Sequence, residues 1–353
     1  MSESIEGKLI YSFKNDYSEG AHSNILNAMM NANMDQHDGY GEDSYSKEAV
    51  EILKEKINNQ NVDIHFVVGG TQANLVVISS ILRPYESVIA AESGHISTHE
   101  TGAIEATGHK INTVETSDGK LTPEKIKKIL DEHNSEHMVK PSMVFISNST
   151  ELGTVYKKNE LEKISLFCRE NNLILYLDGA RLGTALSSDK NDMTIEDISK
   201  LVDVFYIGGT KNGALLGEAI VISNERLKKN FRYNIKQKGA LLAKGRILGI
   251  QFKELFKENL FFSLGKHANF MSLRLGEKIE KLGYDFLYET ESNQIFPIFP
   301  NEIIEKLNKK YGFYLWEEVD KDTSAVRLVT SWATKEEMID KFIEDLKSYS
   351  LSK

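Results

Sequence analysis

The sequence predicts an α/β protein: a large unit with a mostly parallel sheet wrapped by helices, followed by a smaller C-terminal α+β unit. Three observations carry this. Short apolar runs alternate with helical periodicity through the middle of the chain. Several of those runs are apolar nearly throughout, as strands covered on both faces are. After about Gly239 the pattern changes to long helical stretches, then to strands separated by helices. A length of 353 residues suits two units, or one large unit with an appendage.

Taken in order, strands are predicted at 64–68, 87–91, 110–114, 142–147, 173–177, 204–207 and 219–222. Between them, one helix follows Gly69-Gly70 through Leu82. Another opens at Thr122-Pro123-Glu124, which reads as an N-cap, a proline at the first helical position and an acidic residue in the first turn. A third covers about 159–169. In the C-terminal part, helical periodicity covers 241–255 and 264–282, strands are predicted at 294–298, 312–317 and 325–329, and a last helix at 335–349. No Pro- or Gly-rich linker separates the two parts, so they are expected to pack closely.

Composition narrows the function. With 41% apolar and 27% charged residues, the chain reads as ordinarily globular. The net charge of −9 offers no basic excess for neutralising nucleic-acid phosphates, yet leaves room for a local basic pocket. The single cysteine, Cys168, makes no intrachain disulfide and no multi-thiolate metal site. The N-terminal residues lack an apolar run behind a basic head, and no apolar stretch reaches 18 residues. A cytoplasmic protein with no nucleic-acid or membrane partner is the expectation, and no metal-ligand spacing stands out.

Three segments offer chemistry. Gly69-Gly70-Thr71-Gln72 lies between a strand and a helix. Its glycines admit close backbone approach, the helix start offers unpaired N–H groups, and Thr71 and Gln72 add donors; this is a phosphate seat, although an ordinary strand-to-helix turn has the same form. Asp178 ends an apolar strand, at the sheet edge where open α/β folds bind ligands, and by itself also fits a helix cap. Lys211, after Gly208-Gly209-Thr210, follows another strand among small residues. A lysine desolvated there has a lowered pKa and forms Schiff bases, whereas an exposed loop lysine does neither. Together, a phosphate anchor, an anion for a pyridinium nitrogen and a lysine for an aldehyde are what pyridoxal phosphate needs.

These motifs resemble the threonine aldolase family, within the aspartate-aminotransferase-like, fold type I pyridoxal-phosphate enzymes. The resemblance runs from Phe13-Lys14-Asn15-Asp16 to Arg327-Leu328-Val329-Thr330. The stretch 69–74, GGTQAN, resembles the family's SGTQAN phosphate loop; LDGAR, 177–181, matches its HIDGAR motif; GGTKNG, 208–213, resembles its SKG motif. Gly94-His95-Ile96 resembles its SHI segment and Tyr40-Gly41-Glu42-Asp43 its YGED segment.

The resemblance implies pyridoxal 5'-phosphate held by Gly70, Thr71, Gln72 and Thr210, with Lys211 as Schiff-base lysine, Asp178 as pyridinium partner and His95 stacked on the ring. It implies Arg181 beside cofactor and substrate, Arg327 and Asn15 on the substrate carboxylate, and Tyr40 reaching the site from a neighbouring subunit. Residues 1–20 would form a segment near the active site and small domain, 21–240 the cofactor domain and 241–353 the small domain. The implied enzyme is a homodimer or homotetramer with shared active sites. It cleaves a small β-hydroxy-α-amino acid, L-threonine or L-allo-threonine, by a retro-aldol reaction to glycine and an aldehyde. The runner-up is β-elimination from another amino acid.

The chain departs from the family at three places. The ENTHN segment reads Ser147-Asn148-Ser149-Thr150-Glu151, so Thr150 takes the position of a histidine proposed to help catalysis. Asn15 replaces the serine of the RSD motif. Leu242 takes the position of a phosphate-binding arginine, with Lys244 and Arg246 nearby. The base for the β-hydroxyl is left open among His99, His37 and bound water. His99 and Glu100 are expected near the site.

Overall fold

A computed structural model describes residues 10–351. Residues 1–9, where the sequence reads as lacking a secretory leader, lie outside the described residues. The strands are Tyr11–Ser12 (β1), Asp63–Val67 (β2), Glu86–Ala91 (β3), Ile111–Val114 (β4), Lys140–Ser147 (β5), Ile174–Asp178 (β6), Val204–Gly208 (β7) and Glu218–Ile222 (β8). In the C-terminal part they are Gln294–Ile295 (β9), Ile298–Pro300 (β10), Tyr311–Gly312 (β11), Tyr314–Glu318 (β12) and Thr323–Val329 (β13).

Seven strands form the main sheet, in the order β2-β8-β7-β6-β5-β3-β4. The pairs β3–β4, β3–β5, β5–β6 and β6–β7 are parallel. Only β8 runs against its neighbours β2 and β7, so β2 points the same way as the rest. The mostly parallel sheet is therefore as the apolar runs predict.

Both faces of this sheet are buried, and the alternation along each strand decides which core a side chain joins. On β6 and β7, Leu175, Leu177, Phe205 and Ile207 enter one core. Tyr176, Val204 and Tyr206 enter the other. A third core holds the C-terminal strands, with Phe13, Leu275, Phe299, Val326 and Phe342. The helix Leu260–Glu280 belongs to two of them: Phe261 and Leu264 pack on the main sheet, and Met271, Leu275 and Ile279 on the C-terminal core. Burying each such side chain contributes about 1.5–3 kcal/mol.

The smaller sheet runs β10-β13-β12, antiparallel, with β9 also on β13. The strand expected over 294–298 splits at Phe296-Pro297, where proline has no N–H for a ladder. The strand expected over 312–317 also divides: β11 pairs with β1 and β12 with β13. The helix expected from 241 starts at Arg246. Ahead of it the backbone serves another segment: Tyr40 N–H donates to the Ala243 carbonyl at 3.2 Å. Among the described residues no helix is long and apolar enough to cross a membrane.

Candidate active site

Five functional segments meet at one edge of the main sheet, for a topological reason. The parallel strands end there, and so does β2. The loops after β2, β3, β5, β6 and β7 thus carry Gly70, His95, Glu151, Arg181 and Lys211 to one place. Because β8 is antiparallel, it starts at that edge: Glu218 pairs with both Val67 and Gly208. The backbones after β6 and β7 cross so closely that a Cβ at Gly179 or Gly208 would collide with the backbone oxygen of Tyr206 or Ala180. That contact brings Asp178 and Lys211 together.

A cleft of roughly 710 Å³ opens there. Of the residues selected from sequence, Asn15, Gly70, Thr71, His95, Asp178, Arg181, Thr210, Lys211 and Arg327 line it. Gln72 and Tyr40 do not. The Gln72 side chain accepts from Val68 N–H at 3.1 Å, tying the loop instead. Tyr40, 43% exposed, belongs to a separate pocket that it shares with Leu242. Lys244 is exposed and does not line the cleft, and Arg246 donates to the Asn33 and Asp35 carbonyls.

Lys211 Nζ makes no hydrogen bond or ion pair among the described residues. Burial, with the charge of Arg181 beside it, pushes its pKa below 10.5. Asp178 receives Tyr206 O–H at 2.5 Å and Ala180 N–H at 2.9 Å, both on Oδ1. Oδ2 is thereby left for a cleft-side donor. The helix Gly70–Ile81 starts at the cleft behind Gly69, which has no capping side chain, so first-turn N–H groups remain for an anion. A Cβ on Gly70 would stand 3.0 Å from Tyr206 Oη, a tight contact that glycine avoids. Open Oδ2, free Nζ and uncapped helix start together fit pyridoxal phosphate.

Thr210 is already engaged. Its hydroxyl donates to Glu218 Oε1 at 2.8 Å and accepts from Gly217 N–H at 3.0 Å. Gly209 N–H donates to the other Glu218 oxygen at 2.9 Å. Burial pushes the Glu218 carboxyl up to about 8.

His95 is oriented by Glu100. Glu100 Oε1 lies 2.8 Å from His95 Nδ1 and accepts from Asn74 Nδ2 at 2.7 Å; Asn74 Oδ1 in turn accepts from Tyr176 O–H at 2.7 Å. Burial depresses the His95 pKa, but the Glu100 hydrogen bond and the charges of Glu151 and Asp178 outweigh it and raise the net value.

At the other end, Arg327 lies 5.2 Å from the Tyr314 and Trp316 ring centroids and forms no ion pair among the described residues. Its Nε is buried without a partner. A guanidinium held between aromatic rings with no carboxylate of its own is prepared for one from a ligand. Asn15 lines the same cleft, with Oδ1 accepting from Tyr17 N–H and the Ser18 hydroxyl, both at 3.0 Å.

Arg181, by contrast, is committed. Its Nε and Nη2 hold Asp16 at 2.7 and 3.2 Å, and its Nη1 lies 3.8 Å from Glu151. Asn293 also donates to Asp16, at 2.9 Å. Burial pushes the Asp16 carboxyl up, but Arg181 and Lys211 outweigh it and hold the carboxyl below its ordinary 3.8. Its stabilisation is therefore present above pH 3.8 and is lost as pH falls through the lower folded-state value. Asp16→Ala would strand a buried guanidinium, and denaturant unfolding is expected to show a loss of about 3–5 kcal/mol. A change below about 1 kcal/mol, the scale of an exposed pair, would contradict that.

Sequence reading missed Asp16, Glu151, Tyr206 and Glu218 as members of the site. Tyr176 and Tyr206 are hydroxyl-tipped residues inside apolar strands, and Glu218 is an acid opening one. Each was a visible signal, because a buried polar tip needs a partner.

A mostly parallel sheet with a lysine, an acid and a helix start at one edge defines an aspartate-aminotransferase-like fold type I enzyme. A mutant aspartate aminotransferase from Thermus thermophilus, 17% identical, has this fold at a TM-score of 0.72 over 99% of this chain and 97% of that chain. The model of the family described as beta-eliminating lyase matches residues 15–300. A Leishmania major threonine aldolase structure is 52% identical, with a TM-score of 0.95 over 96% of this chain and 99% of that chain. A low specificity L-threonine aldolase of Pseudomonas sp. is 32% identical over 95% of this chain and 97% of its own length. The chain belongs to the beta-eliminating lyase family.

Proposed function

We propose that the protein is a pyridoxal-phosphate-dependent aldolase that cleaves L-threonine, L-allo-threonine and related β-hydroxy-α-amino acids to glycine and an aldehyde. The observation that carries this reading is the free Lys211 amine in the same cleft as an unpaired Arg327. When bound, pyridoxal phosphate supplies an electron sink for bonds broken at the substrate Cα. Lys211 Nζ is the attachment point. Asp178 Oδ2 holds the proton on the ring nitrogen. Gly70 and Thr71 at the helix start receive the phosphate, with Gln72 and Thr210 shaping the loops around it. His95, set by Glu100, would lie against the ring. Arg327 and Asn15 fix the substrate carboxylate, and Arg181 stiffens that corner through Asp16.

Arg327→Ala is expected to lower kcat/KM about 100-fold, the worth of a charge-assisted bidentate contact, while the visible band of bound cofactor persists. Loss of the band would mean that Arg327 serves the cofactor instead.

The division of labour proposed is a cofactor domain over 21–240 and a small domain over 241–353 that carries Arg327, with residues 1–20 at their junction. In support, Tyr11 and Phe13 pack with the C-terminal core while Asp16 bonds Arg181 of the main sheet. We further propose a cytoplasmic homodimer or homotetramer in which Tyr40 completes the neighbour's site. Its position outside its own chain's cleft supports this, as do the exposed Leu26, Met30 and Met34.

Assaying a panel of β-hydroxy amino acids tests the reaction. The aldolase reading expects aldehyde and glycine. A 2-oxo acid and ammonia, with no aldehyde from any substrate, would instead favour the β-elimination that the family description also covers.

A further inference from the structure

We propose that the Glu151 carboxylate is the base that takes the β-hydroxyl proton during cleavage; this rests on the aldolase reading above. Glu151 lines the cleft and is 7% exposed. Among the described residues its carboxylate accepts no hydrogen bond, and its one ion pair, with Arg181 Nη1, is long at 3.8 Å. It is a buried acid with oxygen valences left for a ligand.

Its location suits the task. The Glu151 charge acts on Arg181 and Arg327 at the carboxylate end, and on His95, His99 and Lys211 at the cofactor end. Glu151 lines the same cleft as Arg327 and Lys211, the groups proposed to hold the two ends of the substrate. The loop that presents Glu151 is fixed: Thr150 N–H donates to Thr154 O at 2.9 Å, Gly153 N–H donates to Thr150 O at 3.0 Å, and the two threonine hydroxyls bond at 2.7 Å.

Thr150 and His37 are placed less well. Thr150, at the position of the family's histidine, is buried in those loop bonds and does not line the cleft. His37 lines another pocket and packs edge-on against Tyr45, with 5.2 Å between ring centroids. His99 does line the cleft, with its ring 5.6 Å from His95. The loop after β5 thus presents an acid one residue beyond the position where the sequence comparison looked for a base.

The step balances without an added reactant. The O–H bond breaks and its proton goes to Glu151. The oxygen pair becomes the second C–O bond of the aldehyde. The Cα–Cβ bond breaks and its pair stays with Cα, which takes up one proton to give glycine while Glu151 gives its proton up, so no net proton is gained or lost.

Glu151→Gln keeps shape and cannot accept the proton. Aldehyde release from threonine is expected to fall roughly 100-fold or more. The visible cofactor band, glycine affinity by spectral titration and deuterium exchange at the glycine Cα, none of which involves a β-hydroxyl, should stay within about threefold of wild type, inside ordinary mutational variation. Formate should restore part of the cleavage in Glu151→Gly. Cleavage by Glu151→Gln near the wild-type rate would overturn the assignment. So would equal loss of cleavage and glycine exchange, which marks a positioning role, or His99→Asn alone reproducing the selective loss. If the wild type released no aldehyde from any β-hydroxy amino acid, the aldolase reading would fail and Glu151 with it; that result is distinct from a Glu151 variant that cleaves normally.

Discussion

Lys211→Ala is expected to abolish cleavage, with aldehyde release at least about 10⁴-fold slower, because it removes both the attachment amine and a proton-transfer group. The physical basis is the state of this amine. It sits among Asp16, Glu151, Asp178 and Arg181, and burial with the Arg181 charge lowers its pKa. An ordinary lysine is almost wholly protonated at neutral pH and is a poor nucleophile. At Lys211 the ammonium costs more to maintain, so a larger fraction is the free base. The variant should still fold, since Nζ makes no hydrogen bond that the fold depends on. Stopped activity with an unchanged unfolding midpoint is the expected pair of results. Aldehyde release within about tenfold of wild type would remove Lys211 from the centre of the chemistry.

Asp178→Ala is expected to cost about 10³-fold in kcat, the upper range for one preorganised electrostatic partner. An opposite charge in a buried site moves a pKa by roughly 1–3 units, and this one would hold the ring nitrogen protonated. The same variant should also lose stability. Asp178 Oδ1 is the acceptor for the buried Tyr206 hydroxyl, and an orphaned buried donor costs about 1–3 kcal/mol. Asp178→Asn separates the two effects, because its amide oxygen still serves Tyr206. The expected outcome is a similar kcat loss with little loss of stability. Wild-type kcat in the asparagine variant would show that the charge is dispensable.

The apolar runs made the sheet legible, since a strand buried on both faces has little freedom in composition. The order of strands was not legible, and neither was the antiparallel β8, which is why Glu218 escaped notice. No local pattern says that one strand begins where the others end. The helix Pro123–Glu132 could be read from Thr122 and Pro123, and its cap is as expected: Lys125 N–H donates to Thr122 Oγ1 at 3.4 Å. The helix Ser44–Ile57 is absent from the predicted elements, although Asp43 caps it and Ala49, Leu53 and Ile57 repeat on one face. Those residues lie before the first strand of the main sheet, outside the strand–helix alternation that marks the rest of that unit.

For the site, the motif residues converge because each follows a strand that ends at the same edge. The partnerships among them were out of reach. Arg181 with Asp16 spans 165 positions in the chain, and Asp16 with Asn293 spans 277. Such pairs are decided by tertiary packing. Sequence comparison pointed to Thr150 as the successor of a histidine, while the loop turns Thr150 inward and Glu151 toward the cleft.

The central claim is that Lys211 carries pyridoxal phosphate. Its most direct test is borohydride reduction of the purified holoenzyme, followed by mapping of the modified peptide. The expected result is loss of the visible absorption band and a single pyridoxyl adduct on Lys211. A protein with no visible band and no adduct, or an adduct on any other lysine, would contradict the account.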